Sequence, residues 1–430
     1  MSARSYLSVC ALCVCSALLD GCGTKALVPV APSVAYASRQ SVTETVLYSF
    51  PGNPKGWDPD AGLIIDRNGA LYGTTLIGGG CKSDFFGCGT IFKLTPAGGG
   101  YAGTVIYAFE GKPDGAAPSA PLAADSRGRL YGTTYSGGNP LGMGTVFTLA
   151  PSRAGYTETV IHRFTGHPDD GSIPFTGVAV DKAGNVYGTT SSGGAYLGGI
   201  AYKLSPRHGA YTETVLYNFG AHRDNDPASQ VVIGPHGAIY GTTAGTVFEL
   251  SPAGKGYVKR TLHRLRPLVD GTDLTGTLLA GKNGVWYGTA QSGGPGRCGT
   301  VFALSPSGSK YTFRLLHVFR CHRDFAKGGF PGTGLLADAS GALYGTTYNG
   351  GNLGCSLGGC GIVYKLTPSG SHYVFSVLWS FLPANDGNEP FGGLIAEPGG
   401  PIYGTTGFGG RAGLRSGVYG TVYQITDPSS

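Results

Sequence analysis

Charge is scarce in this chain. Only 13% of its 430 residues are charged, and the net charge of +6 comes from scattered basic residues. That leaves no basic stripe of the kind that holds a phosphate backbone, so no nucleic-acid partner is expected. Helix formers are thin and no helical periodicity appears after the leader, which points away from helical architectures. There is no nucleophile elbow, no metal-binding helix and no phosphate loop followed by a helix. No Cys-x-x-Cys pair speaks for zinc. The one long apolar run, from Leu7 to Leu19, is too short to span a bilayer. No catalytic residue, metal or cofactor is assigned on these grounds.

Glycine is abundant, at 77 residues, and so is one phrase. Leu71-Tyr72-Gly73-Thr74-Thr75 returns around Tyr131, Tyr187, Tyr240, Tyr287, Tyr344 and Tyr403, at spacings of 59, 56, 53, 47, 57 and 59 residues. A period of that size over nearly the whole chain marks a repeat architecture. Six residues before the tyrosine there is usually an Asp (Asp66, Asp125, Asp181, Asp338), with Gly three residues after it. Asp-x-x-Gly between short apolar runs is turn chemistry, and it makes a hairpin of strand A (Leu63-Ile64-Ile65) and strand B, the Tyr-Gly-Thr-Thr phrase. The phrase itself reads as blade construction: Gly allows neighbouring sheets to approach closely, Tyr packs, and the Thr pair suits a β position.

A Gly-rich loop then leads into strand C, Gly-Thr-Val-Phe-x-Leu-x-Pro, starting at Gly89, Gly144, Gly245, Gly299 and Gly420, with looser copies at Gly199 and Gly361. Strand D is an alternating run such as Tyr156 to Phe164. Four antiparallel strands in each of seven units make an all-β, seven-bladed β-propeller. The first strand, Val42 to Phe50, is a D strand without A, B or C before it. The last, Thr421 to Ile425, is a C strand without D after it. The N-terminal strand is therefore expected to complete the C-terminal blade and close the ring.

Residues 1–21 read as a lipoprotein-type signal peptide, 22–41 as a flexible tether, 42–426 as the propeller and 427–430 as a tail. Leu19-Asp20-Gly21-Cys22 resembles the bacterial lipobox, which would place a lipid on Cys22 and the protein in the cell envelope, at the outer membrane or cell surface. The alternative is plain secretion or a periplasmic location, with cleavage after Ala35-Tyr36-Ala37. Six cysteines follow the leader and Cys22. Aligned on the repeat, they pair as Cys81 with Cys88, Cys298 with Cys321 and Cys355 with Cys360, as suits an oxidising compartment.

The D–A and B–C connections share one face of such a ring. His162, His263 and His317 fall within D strands at a position that elsewhere holds Tyr48, Tyr107, Tyr217 and Trp379, and are read as packing residues between blades. His208, His236 and His372 fall in turns of the opposite face. The D–A connections carry the candidate ligand residues: His167 and Asp169; His222, Arg223, Asp224 and Asp226; His322, Arg323 and Asp324. Asp58, Asp60, Asp114, Asp270, Asp273 and Asp386 lie in the same connections. Asp-Gly and Asp-Pro in a recurring connection are usually turn formers, and Asp224-Asn225-Asp226 does not match a calcium loop. In the fourth unit the B–C loop is reduced to Thr243-Ala244-Gly245-Thr246, beside Arg264-Leu265-Arg266, which lowers the rim there.

The repeat unit resembles that of the choice-of-anchor tandem repeat proteins, also called GloVer-repeat proteins. The resemblance covers all seven units and implies an exported bacterial protein, with no catalytic residues to carry over. Gly281 in place of Asp, and Ala290 in place of the last Thr, depart from the pattern in unit five. Three functions are compatible: a monomeric module that binds a protein or glycan on the loop-rich face and meets the membrane only through its anchor; a lyase or hydrolase built on His167, His222, Arg223 and Asp224; or an architectural envelope protein.

Overall fold

In a computed structural model the described residues are 41–52, 54–81, 87–153, 155–220, 224–254, 256–321, 325–352, 354–355, 358–382, 386–410 and 419–428. They form seven four-stranded antiparallel sheets, each in the order A-B-C-D. Blade 1 comprises Ile64–Ile65, Leu71–Thr75, Thr90–Ala97 and Gly100–Ala108. Blades 2 to 6 repeat this through Ser380. Blade 7 takes A, B and C from Ile395–Ala396, Ile402–Thr406 and Thr421–Thr426, and D from Thr43–Ser49 at the other end of the chain. The expected ring closure is thus present. It leaves no unpaired seam between the first and last blades.

The tyrosine and both threonines of the repeated phrase have bonding roles. In four blades the tyrosine hydroxyl donates to the turn aspartate, as Tyr72 does to Asp66 at 3.0 Å and Tyr344 to Asp338 at 2.9 Å. The other Asp66 oxygen accepts the N–H groups of Asn68 and Ala70, which fixes the A–B turn. The first Thr reaches a carbonyl of the next blade: Thr133 to Thr176 at 3.0 Å, Thr289 to Thr333 at 2.8 Å and, across the closure, Thr405 to Ala61 at 3.2 Å. The second Thr pairs with the Thr that opens its own strand C, as Thr75 with Thr90 at 2.7 Å.

Glycine needs a different explanation from the one its position between sheets implies. Gly73 faces Phe92 across the same sheet, and a Cβ on it would lie 2.6 Å from the Phe92 ring. Gly132 stands in the same relation to Phe147 and Gly188 to Tyr202. The glycine makes room for an aromatic ring of its own blade, and that ring fills the interblade core. Phe92, Phe147, Phe248 and Phe302 are all buried there.

Disulfides join Cys81 to Cys88, Cys298 to Cys321 and Cys355 to Cys360, with Cα separations of 5.5, 5.5 and 5.1 Å. The first and third brace B–C loops. The second ties the start of strand C to the end of strand D in blade 5. Three such bridges fit an extracellular or periplasmic location.

Candidate functional site

Two sets of side chains use the D–A connections, and they must be separated before any is given a function. The first set locks neighbouring blades together. In four seams a side chain near the end of strand D meets an aspartate of the D–A connection. In the seam between blades 1 and 2, Tyr107 donates to Asp114 at 2.7 Å. Between blades 6 and 7, Trp379 donates to Asp386 at 3.0 Å. Between blades 4 and 5, His263 lies 3.2 Å from Asp270, stacks on Phe313 at 4.3 Å, and Asp270 also takes a two-point bond from Arg266.

The same aspartates bind backbone N–H groups of their own turn. Asp114 accepts from Glu110, Asp170 from Thr165 and Gly171, and Asp270 from Arg266. All three are almost wholly buried. This is the recurring structural role, and it accounts for an acidic residue in one connection after another.

The seam between blades 2 and 3 is the most polar. His162 Nε2 lies 3.3 Å from Asp170 and 3.6 Å from Glu213, and the three could in geometry share a metal ion. Burial opposes protonation of His162, but the two carboxylates outweigh it and hold its pKa above the usual value. Glu213 is pushed up to about 7, chiefly by burial, as are Glu158 and Glu44 at the equivalent positions of two other seams. Asp170 spends both oxygens on backbone and side-chain donors, so this trio is better explained as a blade lock than as a metal centre.

Asp224 belongs to the same structural set. Lys259, whose side chain is 6% exposed, donates to both its oxygens at 2.5 and 2.7 Å, and Thr246 donates at 3.1 Å. Both its oxygens are thus engaged by Lys259, which gives Asp224 a structural role in the seam. In the basic stretch beside it Leu265 is buried, Arg266 bonds Asp270 from an exposed position, and Arg264 is exposed. Of the other sequence candidates, Asp169 and Asp226 are exposed, and His167 is exposed with Nδ1 2.8 Å from the Gly194 carbonyl oxygen. His222, Arg223, His322, Arg323 and Asp324 lie outside the described residues, as does Cys22.

The second set surrounds the point where the connections descend into the short inner A strands. One residue per connection has φ near +60°: Asp58, Ala117, Ile173, Asp226, Asp273, Phe330 and Glu389. Its carbonyl accepts the N–H of the residue that follows the Thr pair in six blades, for example Tyr135 on Ala117 and Gly407 on Glu389. The backbone is therefore the same in each blade while the side chains differ. Tyr135 meets Phe175 edge to face at 6.2 Å, and Tyr348 meets Phe391 at 4.4 Å. Asp58, Asp60 and Glu389 make one sector acidic. Burial, then the Asp58 charge and a hydrogen bond with Asp58, and last Glu389 push Asp60 up to about 9; burial raises Asp58 as well, against the hydrogen bond from Asp60, and raises Glu389. Aligning the copies exposes this ring in the sequence, because these are the columns in which the repeats disagree.

Exposed apolar side chains follow the same division. Among the described residues, Tyr135, Leu141, Phe175, Tyr196, Leu197, Leu268, Val269 and Leu382 all lie in D–A or B–C connections. The remaining large exposed apolar residues, Val258, Val374 and Val377, lie on outer D strands. The turns of the opposite face contribute none among the described residues.

The fold and this varied rim define a seven-bladed propeller of an architecture that enzymes share. Streptogramin B lyase superposes with a TM-score of 0.54 at 13% identity, over 90% of this chain and 98% of the lyase. An inactive variant of virginiamycin B lyase from Staphylococcus aureus, solved with quinupristin, gives 0.55 at 14%, over 90% and 99%. A Bacteroides fragilis protein assigned as a 6-phosphogluconolactonase gives 0.52 at 11%, over 84% and 99%. These likenesses show the fold. The Gloeobacter/Verrucomicrobia repeat matches residues 33–245 and 243–430, and the chain belongs to that family. No curated protein matches it.

Proposed function

We propose that this protein is an exported binding module that takes a protein or glycan on the face built by its D–A and B–C connections. The concentration of exposed apolar and aromatic side chains on that face carries the reading. Exposed apolar side chains gathered on one face point to an interaction site, and an exposed aromatic pair such as Tyr135 and Phe175 offers a flat surface to a sugar ring or an apolar side chain. Cys22 carries the lipid that holds the ring at the envelope. The three disulfides agree with that side of the membrane. Of the four residues on which a lyase or hydrolase would rest, Asp224 is spent on Lys259, which favours binding over catalysis.

The test is a glycan array together with a pull-down from envelope extract, each run with the full chain and with Tyr135→Ala/Phe175→Ala. Capture by the native protein and its loss in the variant support the reading. Capture that survives the double substitution, or no capture in either format, overturns it. Fatty-acid labelling lost in Cys22→Ser checks the anchor, and an unlabelled native protein refutes it.

A further inference from the structure

Blade 7 lacks a side chain where the rim of the other blades has one. The residue after the Thr pair is Leu76, Tyr135, Ser191, Ala244, Gln291 or Tyr348 in blades 1 to 6, and Gly407 in blade 7. Two carboxylates face the gap. A Cβ placed on Gly407 would lie 2.8 Å from Asp60 Oδ1 and 3.1 Å from Asp58 Oδ1. Both oxygens are shut off from solvent, and apart from a hydrogen bond between the two carboxyl groups themselves neither meets a donor among the described residues. Asp58 as a whole is 7% exposed. This differs from the seam aspartates, whose oxygens are satisfied by backbone, Tyr, Trp, Lys or Arg.

A buried carboxylate oxygen without a donor costs free energy unless a proton or a cation lies against it. A single proton shared between the two side chains gives one oxygen a donor, but the charge of Glu389 remains beside them. A cation satisfies both oxygens together and balances that third carboxylate. We propose that the pocket over Gly407 binds a hard divalent cation, magnesium or calcium, through Asp58 Oδ1 and Asp60 Oδ1. Two carboxylate oxygens with water in the remaining positions is a coordination set that such ions accept. The pocket lies beneath the loop-rich face proposed above for a ligand. The cation site rests on the pocket alone and extends the binding reading.

The experiment uses the full chain after chelator treatment, titrated with magnesium and with calcium by calorimetry and followed by thermal melting. One site per chain and a rise in Tm on saturation are expected. Asp60→Asn keeps the shape and removes the charge, and should weaken binding at least tenfold. Gly407→Ala introduces the methyl group that the pocket has no room for and should do the same. Asp273→Asn, on the same ring but away from the pocket, should bind as the native protein does. If a folded native chain gives neither heat nor a Tm shift with either ion, the inference is wrong. Binding that persists unchanged in both Asp60→Asn and Gly407→Ala is also fatal to it. Repeating the glycan and pull-down assays in chelator separates the two proposals, since ligand capture without a cation leaves the binding reading standing.

Discussion

His162 and His317 occupy the same place in the repeat, one blade seam on each side of the ring, and their surroundings are opposite. His162 sits between Asp170 and Glu213, which hold it toward the protonated form. His317 stacks flat on Phe375 at 4.1 Å, with Phe319 at its edge. Burial, with Lys327 and Arg320 nearby, pushes its pKa down to about 4. The backbone that carries the two imidazoles is the same. What differs is the surroundings: Glu213 of the following strand D, with Asp170, in one case, and Phe375 of the following strand D, with Lys327 and Arg320, in the other. The repeat therefore fixes where a seam side chain stands, and the neighbouring blade decides its chemistry.

A third seam widens the contrast and offers the largest test. Between blades 3 and 4 the residue equivalent to Glu213 and Phe375 is Lys259, ion-paired with Asp224 and lying 5.7 Å from the Tyr217 ring centre. Lys259→Ala leaves the Asp224 carboxylate facing the seam without its cation, and should destabilise the ring by about 3 kcal/mol. Urea unfolding measures it. A loss below about 1 kcal/mol would mean that Asp224 turns outward to water at no cost, and the seam would then not be a lock. Lys259→Met with Asp224→Asn should recover much of the loss.

Phe375→Ala is expected to cost about 2 kcal/mol, below the range for a wholly buried ring because Phe375 is only part-buried. Its second effect bears directly on the comparison. Without the stacked ring, water reaches His317 and its pKa should climb from about 4 toward the ordinary 6.5. Histidine NMR titration reads this. An unmoved value would assign the depression to Lys327 and Arg320 instead.

Glu213→Gln attacks the opposite seam more gently. It removes one of the two charges that raise His162, so the His162 pKa should fall while that of His317 stays. The effect on stability, about 0.5–1 kcal/mol, has a defined sign. A His or Glu whose pKa is raised by folding stabilises the fold fully at pH values below its unfolded pKa, and that stability is lost as pH rises through the folded value. Glu213, Glu158 and Glu44 all titrate near 7, so their contribution should decline between about pH 5 and 8. His317 behaves in reverse: its pKa is depressed, so its contribution is full above about 6.5 and lost as pH falls toward 4. In Glu213→Gln the decline from pH 5 to 8 should be shallower than in the native protein. An identical slope would show that Glu213 is solvated.

The ring was legible in the sequence because everything that builds a blade is local. Asp66 and Tyr72 are six residues apart, the turn glycines sit beside their strands, and the leftover D strand at one end matches the missing D strand at the other. The seams were only half legible. The column Tyr48, Tyr107, His162, Tyr217, His263, His317 and Trp379 reads as packing until it is set against Gly103, Glu158, Glu213, Lys259, Phe313, Phe375 and Glu44. Each partner lies about one repeat further along the chain, except Glu44, set against Trp379 from the opposite end. The seam role of Asp224 was hidden for the same reason, since Lys259 stands 35 residues away. The pair at Asp58 and Asp60 escaped because its distinguishing feature is an absence, the glycine at 407, which carries no chemistry of its own.

The smallest effect on stability should come from the rim, and it separates the parts that build from the parts that bind. Tyr135 and Phe175 are 41% and 48% exposed and touch each other across adjoining connections. Replacing both by Ala removes little buried surface, so the change in unfolding free energy should stay within about 0.5 kcal/mol. Ligand capture should nevertheless disappear. Phe375→Ala should do the reverse, costing stability at 25 °C while leaving capture by the still-folded fraction unchanged. Should the rim substitutions destabilise the ring as much as the seam substitution does, Tyr135 and Phe175 are part of its framework, and the exposed apolar face no longer marks a binding surface.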